Sequence, residues 1–267
     1  MHRVTSLIWL ALLLPGLLVS RSLPAQETPP GNDGKGRYEL REVHDPNGIG
    51  KFYFGREIAH VMGAQAIGWL ERPEREREEQ LKKLVKALEL RPGMVVADVG
   101  AGSGVITMMM ASKVEPEGKI LALDIQQPML DALAAKCKRA RVDNVELILT
   151  TNRSVRLKPE TVDLAIMVDV YHELEFPYEM LLELSAAIKP GGRIAFIEYR
   201  KEDPRVPIKK VHKMSEEQVK REALLPEMNL KFVKNDDRLP QQHLLFFEKV
   251  RPAEEPAAPA PSTGARP

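Results

Sequence analysis

The sequence VVADVGAGSG, at residues 95–104, decides the fold of this chain. It is an apolar run, typical of a buried strand, that contains Asp98 and leads into glycines at every second position from Gly100. Glycine has no Cβ, so this backbone can turn sharply and approach a ligand closely. A second apolar run ends in Asp124. Because open parallel sheets bind ligands beyond the carboxyl ends of their strands, we expect both stretches to border one ligand site.

Strand-like and helix-like segments alternate downstream of residue 95. The predicted strands are residues 95–99, 119–125, 145–150, 162–170, 193–199, 230–233 and 243–250, and the predicted helices are 105–114, 128–140, 177–188 and 215–225. Repeated strand–helix units predict an α/β fold with a doubly wound, mostly parallel sheet. The last two strands have no helix between them, which predicts a hairpin with one antiparallel strand.

Residues 37–90 are expected to form an N-terminal helical lid segment, and residues 91–250 the ligand-binding domain. Gly55 to Leu70 is mostly apolar and predicts a buried or lid-like helix. Pro73 is followed by acidic residues and then by leucines at helical spacing up to Leu88, which predicts an amphipathic helix.

The two ends differ from the body in composition. Arg3 precedes an apolar run from Leu7 to Val19 that is too short, at roughly 20 Å as a helix, for a bilayer core of about 30 Å. We expect residues 1–25 to be a signal peptide cut after Ala25, with an uncleaved anchor as the alternative. Residues 26–36 are predicted to be a flexible linker and 251–267 a disordered Pro/Ala-rich tail. The protein is therefore expected to be exported, either periplasmic or membrane-associated.

Charge and cysteine content exclude some functions. The formal net charge is +1, with 39 basic and 38 acidic residues, which argues against general nucleic-acid binding. Cys137 is the only cysteine, so neither an intrachain disulfide nor a cysteine metal site is expected. The sequence contains no H-E-x-x-H motif, and no metal site is expected.

The glycine spacing bears on the ligand. A dinucleotide fingerprint reads G-x-G-x-x-G, whereas here the last interval is one residue shorter and Val105 stands at the third position. Asp98 suits an ammonium group, and the two oxygens of Asp124 suit the vicinal hydroxyls of a ribose, at about 1.5–3 kcal/mol per charged hydrogen bond. A nicotinamide oxidoreductase and a purely structural glycine turn remain as alternatives.

Four stretches resemble class I S-adenosylmethionine (SAM) dependent methyltransferases. DVGAGSG at 98–104 is similar to the first motif of that family, and LALD at 121–124 to the second. DVYHE at 169–173 resembles the end of the fourth-strand motif, and KPGG at 189–192 the turn before the fifth strand. The resemblance covers about residues 80–250 and is nearest to the ubiquinone/menaquinone C-methyltransferase branch. It implies the strand order 3-2-1-4-5-7-6, with strand 7 antiparallel, and SAM as the cofactor.

The resemblance also implies a set of cofactor-binding residues. They are Asp98, Gly100, Ala101, Gly102, Gly104, Asp124, Ile125, Asn152 and Asp169. Asn152 departs from the family, because many relatives have an acidic residue there that faces the adenine amino group.

Methyl transfer is a one-step displacement that depends on holding the acceptor and the methyl group in line, which supplies roughly 7–11 kcal/mol. A base is needed only where the acceptor must lose a proton. His172 is the best base candidate, with Asp169 and Tyr171 as its partners at the catalytic end of the fourth strand. The alternative is that His172 caps the following helix or binds Asp169.

Five further residues are candidates for contacting the substrate. They are Tyr53 and Arg56 in the lid segment, Tyr199 and Arg200 at the end of the fifth strand, and His212. Packing of Tyr53, and an ion pair of Arg200 with Glu202 or Asp203, are the structural alternatives. The leading function is SAM-dependent methyl transfer to a small-molecule acceptor. The alternative is an exported, non-catalytic ligand-binding protein on the same fold, since SAM is made in the cytoplasm.

Overall fold

The structure is a computed structural model that describes residues 36–250. The elements in chain order are β1 (Tyr38–Leu40), β2 (Gly48–Tyr53), β3 (Arg56–Ala59), α1 (Ile67–Leu70), α2 (Arg75–Glu79), α3 (Leu81–Ala87), β4 (Val95–Val99), α4 (Val105–Val114), β5 (Lys119–Asp124), α5 (Gln127–Ala140), β6 (Val145–Leu149), β7 (Val162–Val168), α6 (Pro177–Ala187), β8 (Ile188–Tyr199), α7 (Glu216–Ala223), β9 (Leu230–Asn235) and β10 (Gln242–Lys249). Short 3-10 turns lie at Ala64–Ala66, Tyr171–Glu173, Lys210–His212 and Pro226–Met228.

The main sheet has seven strands in the order β6-β5-β4-β7-β8-β10-β9. Numbered from β4, this is 3-2-1-4-5-7-6, so the order implied by the family resemblance is confirmed. β10 runs antiparallel to both β8 and β9, while the other neighbours pair in parallel. The strand order reverses between β4 and β7, which are strands 1 and 4 in this numbering. Such sheets bind their ligands at this point, beyond the carboxyl ends of the strands.

Both faces of this sheet are buried, because successive side chains of a strand point to opposite faces. Ala97 and Val99 of β4 belong to the apolar cluster under α6 and α7, whereas Val96 belongs to the cluster under α3 and α4. The continuous apolar runs of the sequence are therefore explained by helices on both sides of the sheet.

Most element boundaries agree closely with the predicted ones. α4 covers the predicted residues, and α7 is capped by Ser215, whose side-chain oxygen accepts a hydrogen bond from the amide of Gln218 at 3.1 Å. β8 begins at Ile188 instead of 193, because Ile188 already pairs with Val162 ahead of a register shift.

The prediction of a helix over Gly55 to Leu70 was wrong. β1, β2 and β3 form a three-stranded antiparallel sheet, and only Ile67–Leu70 of that stretch is α-helical. Phe54 and Gly55 both have positive φ, at 49° and 82°, as the two central residues of a tight hairpin turn require. This turn pairs Tyr53 with Arg56 and directs the apolar residues that follow into a strand.

The amphipathic helix after Pro73 is also interrupted. Gln80 adopts a left-handed conformation with φ of 56°, and its amide closes α2 on the carbonyl of Glu76 at 3.1 Å. Two short helices, α2 and α3, therefore replace one long helix. The N-terminal segment combines a small sheet with short helices, where a helical extension was predicted.

The predicted signal peptide, nearly all of the predicted linker and the predicted tail lie outside the described residues. Within residues 36–250, no helix has the length and apolar content needed to cross a membrane.

Candidate active site

The glycine loop after β4 is fixed against the neighbouring strand. The amides of Gly100 and Ala101 donate to the carbonyl of Leu123 at 2.8 and 2.9 Å. Gly100 has φ of +73°, and a Cβ there would collide with the side chain of Val170. Gly104 has φ of +82°, and a Cβ there would collide with Leu133, so both positions require glycine for conformation and for space.

Asp124, at the end of β5, holds this loop directly. Its Oδ2 accepts a hydrogen bond from the amide of Gly102 at 2.8 Å, and its Oδ1 accepts one from the amide of Gln126 at 2.8 Å. Burial raises the pKa of Asp124, and these amide donors oppose that rise. The two elements that the sequence singled out therefore face each other.

An open cleft with an empty volume of about 1090 Å³ lies beside this pair. Among the residues predicted from sequence, its wall includes Gly100, Gly102, Asp124, Ile125, Asn152, Asp169 and Tyr199. The N-terminal segment supplies the facing wall, through Val61, Met62, Trp69, Leu70, Arg75 and Glu79. The cleft therefore brings the glycine loop, Asp124 and the N-terminal segment around one space.

Asp98 lies behind the loop and lines a smaller cavity of about 350 Å³ with Ala101 and Arg75. Its Oδ2 accepts a hydrogen bond from the hydroxyl of Thr107 at 2.5 Å. Burial raises the pKa of Asp98 to about 6, and the nearby carboxylate of Asp124 contributes. A cationic ligand group would stabilise the ionised form of this side chain.

Asp169 follows β7, is half-buried and has an unusual backbone conformation, with φ of 54°. Its Oδ2 accepts a hydrogen bond from Nε2 of Gln242 at 2.8 Å, whereas Oδ1 has no hydrogen-bond partner within residues 36–250. Burial and the acidic neighbours Glu79 and Glu198 raise the pKa of Asp169 well above its usual value. An orphaned carboxylate oxygen on the cleft wall fits the ammonium or sulfonium end of SAM.

Ile125, which is 44% exposed, and Asn152 border the end of the cleft that the family resemblance assigns to adenine. Nδ2 of Asn152 donates to Glu175 at 2.9 Å. The side chain of Gln126 contacts the N-terminal segment. Its Nε2 donates to the carbonyl of Met62 at 2.9 Å, and its Oε1 accepts from the amide of Ala64 at 3.0 Å.

His172 lies in the turn after β7 and does not line the cleft. Its Nδ1 is 2.5 Å from Oε2 of Glu198, and its Nε2 is 3.1 Å from Nδ1 of His212. Burial lowers the pKa of His172, but the carboxylates of Glu198, Glu173 and Asp169 together outweigh it, and the net shift is upward. His172 thus hydrogen-bonds to Glu198 and His212, which differs from the structural alternative of helix capping or a bond to Asp169. Tyr171 is buried against Phe196, with ring centroids 4.9 Å apart.

Four of the predicted substrate residues lie outside the cleft. Tyr53 packs against Tyr38, and Arg56 forms a buried ion pair with Glu222 at 2.6 Å, because the β2–β3 hairpin docks on α7. Arg200 donates to the carbonyls of Pro240 and Asp237, at 3.1 and 3.4 Å, instead of pairing with Glu202 or Asp203. His212 contacts His172, as described above. Tyr199 is the one that reaches the cleft.

Arg75 and Glu79 are cleft residues that the sequence analysis missed. Nε of Arg75 donates to Glu79 at 2.8 Å, and its Nη1 donates to the carbonyl of Leu70 at 3.2 Å. Their charged run after Pro73 is typical of a solvated helix face, and nothing in its spacing distinguishes these two from their exposed neighbours. The left-handed residue Gln80 ends α2, and the side chains of Arg75 and Glu79 are the buried ones of this helix.

Comparison with known proteins agrees with this geometry. A family model described as a methyltransferase domain matches residues 90–242. The crystal structure of a SAM-dependent methyltransferase from Aquifex aeolicus superposes with a TM-score of 0.66 at 25% identity, covering 71% of this chain and all of that one. The crystal structure of the [4+2]-cyclase SpnF superposes with a TM-score of 0.55 at 15% identity, over 64% of this chain and 80% of that one.

In sequence, the demethylmenaquinone methyltransferase of Listeria welshimeri is 29% identical over 117 residues, which are 44% of this chain and 50% of that protein. The chain thus spans about half the length of the curated relatives it matches. The fold is that of the SAM-dependent methyltransferases, which implies SAM as the cofactor. The chain belongs to the methyltransferase-domain family.

Proposed function

We propose that this protein transfers a methyl group from SAM to a small-molecule acceptor by in-line displacement. The observation that carries the proposal is the Asp124–Gly102 hydrogen bond, which closes the glycine loop onto the carboxylate beside the cleft. The curated relatives named demethylmenaquinone methyltransferase support a small organic acceptor, although they match less than half of this chain.

SAM, when bound, supplies an activated methyl group on a sulfonium. The residues of this chain bind and orient it. Asp124 is already held by two amides, so its remaining lone pairs reach a ribose diol without reorganisation. The orphaned oxygen of Asp169 and the perturbed carboxyl of Asp98 favour the cationic amino-acid end. Each of these carboxyls is more stable as an anion once a cation lies beside it.

The acceptor would lie against the N-terminal segment. Val61, Met62 and Trp69 line the cleft, as do the apolar residues Leu174 and Met180. A largely apolar wall excludes water and positions an organic acceptor, and positioning is the main requirement of this displacement. Gln126 holds the segment in place through its two hydrogen bonds.

Proton removal is needed only for some acceptors. Asp169 and Glu173 are the acidic groups at the carboxyl end of β7 that reach the cleft wall. His172 lies behind Glu173, with Nε2 3.8 Å from its Oε1, so any role of His172 as a base would operate through that neighbour. The assignment of His172, Asp169 and Tyr171 to the chemical step stays a prediction.

The test uses the full chain in two stages. Calorimetry with SAM, S-adenosylhomocysteine and NAD comes first, and we expect binding of the two adenosyl sulfur compounds alone. Transfer of labelled methyl from SAM to a panel of phenols, quinols, amines and thiols comes second. Binding of NAD without SAM would overturn the proposal, and tight SAM binding with no labelled product would favour the non-catalytic alternative.

Export is a separate part of the proposal, and it rests on the apolar run after Arg3. Fractionation of cells that make the full chain, with sequencing of the mature N-terminus, tests it. We expect a mature chain beginning near Gln26 outside the cytoplasm, and an intact cytoplasmic chain would contradict this.

A further inference from the structure

Three potential metal ligands converge beside the cleft, on two separate turns. His172 and Glu173 lie in the turn after β7, and His212 lies in the turn before α7. Nε2 of His172 is 3.1 Å from Nδ1 of His212, and Oε1 of Glu173 is 3.8 Å from the first nitrogen and 3.5 Å from the second. The side chains of His172 and Glu173 are 2% and 8% exposed, and that of His212 is 21% exposed.

The size of this triangle matches the coordination sphere of a small transition-metal ion. A triangle with these three sides has a centre about 2.0 Å from every corner, which is the distance expected for zinc–nitrogen and zinc–carboxylate bonds. One ion at that centre would therefore lie within bonding distance of all three atoms. Two imidazoles and one carboxylate are a donor set that suits zinc or iron(II) and suits magnesium or calcium poorly.

Two of the ligands are also anchored on their far sides. Nδ1 of His172 is 2.5 Å from Oε2 of Glu198, an arrangement that directs the Nε2 lone pair toward His212 and Glu173 when Nδ1 carries the proton. Oε2 of Glu173 accepts a hydrogen bond from the amide of Met62 at 3.2 Å, which leaves Oε1 facing the histidines. Glu198 in turn accepts from the amide of Tyr171 at 2.8 Å.

The charges around the cluster also favour a bound cation. Glu173 and Glu198 are two buried carboxylates beside two imidazoles, and a divalent ion would balance them. The guanidinium of Arg56 donates to the carbonyl of His172 at 3.4 Å but is already paired with Glu222. The charge of Arg56 is therefore already balanced by Glu222, and a divalent ion would add positive charge beside Glu173 and Glu198.

We propose that His172, Glu173 and His212 form a binding site for one divalent transition-metal ion of the zinc type, with Glu198 as a positioning residue for His172. Three protein ligands leave a coordination position open, as in zinc sites that also take water or a ligand oxygen. Glu173 lines the cleft, so the ion would lie at the acceptor end of it. The inference stands independently of methyl transfer.

The experiment measures zinc affinity in the full chain after removal of metal by dialysis against a chelator. Zinc chloride is titrated in competition with a chromophoric chelator. We expect one ion per chain, and we expect His212→Ala to weaken binding more than the ~10–100-fold typical of losing an outer partner. His60→Ala removes an exposed histidine far from the cluster in sequence and is the matched control, with unchanged affinity expected.

Glu173→Gln and Glu198→Gln separate the roles of the two carboxylates. Glu173→Gln should lose affinity as His212→Ala does, whereas Glu198→Gln should lose roughly 10–100-fold, as expected for an outer partner. Circular dichroism and SAM calorimetry on each variant check that the fold and the cofactor site persist. Absence of stoichiometric zinc, or equal affinity in wild type, His212→Ala and Glu173→Gln, would overturn the proposal.

Discussion

The guanidinium of Arg56 and the carboxylate of Glu222 form a bidentate ion pair in the interior of the protein, at 2.6 and 3.0 Å. Arg56 is on β3 of the small N-terminal sheet, and Glu222 is on α7, next to the main sheet. Neither side chain is more than 5% exposed. The pair therefore fastens the segment that forms one wall of the cleft to the domain that forms the other.

Breaking this pair should destabilise the protein strongly. Glu222→Ala leaves a buried guanidinium without its carboxylate, which costs about 3–5 kcal/mol, whereas the double change Arg56→Met with Glu222→Leu removes both charges and should cost far less. Urea unfolding measures both. Lys119 and Glu146 form a pair whose side chains are about half exposed, and Glu146→Ala should cost no more than about 1 kcal/mol. Equal losses for Glu222→Ala and Glu146→Ala would contradict this account.

What could be predicted from the sequence was mainly local. β4 and α4 are encoded by adjacent residues, an apolar run followed by glycines, and the order of the sheet follows from the family that this motif resembles. The hairpin of β9 and β10 was predicted because no helix separates them. The β2–β3 hairpin was missed because its turn is Phe54-Gly55, and phenylalanine is an uncommon residue at positive φ.

The partners of His172 could not be predicted for a different reason. Glu198 and His212 are 26 and 40 residues away in sequence, and they meet His172 only because β8 lies beside β7 and the chain returns after it. No metal-binding sequence motif has three ligands at such separations. The expectation of no metal site therefore depended only on the absence of a known motif. Arg56 was similarly assigned to the cleft, since its partner Glu222 is distant in sequence.

Asp124→Ala should weaken SAM binding more than tenfold. The change removes two oxygens that would bind the ribose and also releases the amide of Gly102, each hydrogen bond to the carboxylate contributing about 1.5–3 kcal/mol. Calorimetry with SAM measures the effect. Asp131→Ala, on the exposed side of α5, is the matched control and should leave the affinity unchanged. An unchanged dissociation constant for Asp124→Ala would remove Asp124 from the binding site.

Asp98 links cofactor binding to pH. The pKa of Asp98 in the folded protein is about 6, above the ordinary value near 4. As the pH falls, Asp98 therefore binds a proton at a higher pH in the folded protein than in the unfolded chain. The contribution of Asp98 to stability therefore declines as pH rises through that window, while its affinity for a cation increases. SAM binding should weaken as the pH falls below about 6.

Asp98→Asn tests this argument. Without SAM, the variant should be about 1–3 kcal/mol more stable than wild type at pH 8, because the buried charge is gone and Thr107 still has an oxygen to donate to. Its SAM affinity should be lower and should change less between pH 5 and 7. Parallel urea and calorimetric titrations at several pH values measure both effects. The same pH slope in wild type and variant would assign the dependence to another group.

Gly100→Ala should lower the free energy of unfolding by more than the cost of placing alanine at a positive φ. Gly55 has a similar positive φ of +82° and open space around its missing Cβ, so Gly55→Ala isolates the conformational cost, about 1–2 kcal/mol. Gly100→Ala adds a collision with Val170, at about 1–3 kcal/mol, and shifts the loop that Asp124 holds. Adding Val170→Ala should recover only the stability lost to the collision, once the effect of the single Val170→Ala variant on stability is subtracted.

SAM affinity should fall for Gly100→Ala and stay constant for Gly55→Ala. Equal unfolding midpoints for Gly100→Ala and Gly55→Ala would show that the close approach of the loop to Val170 has no energetic consequence.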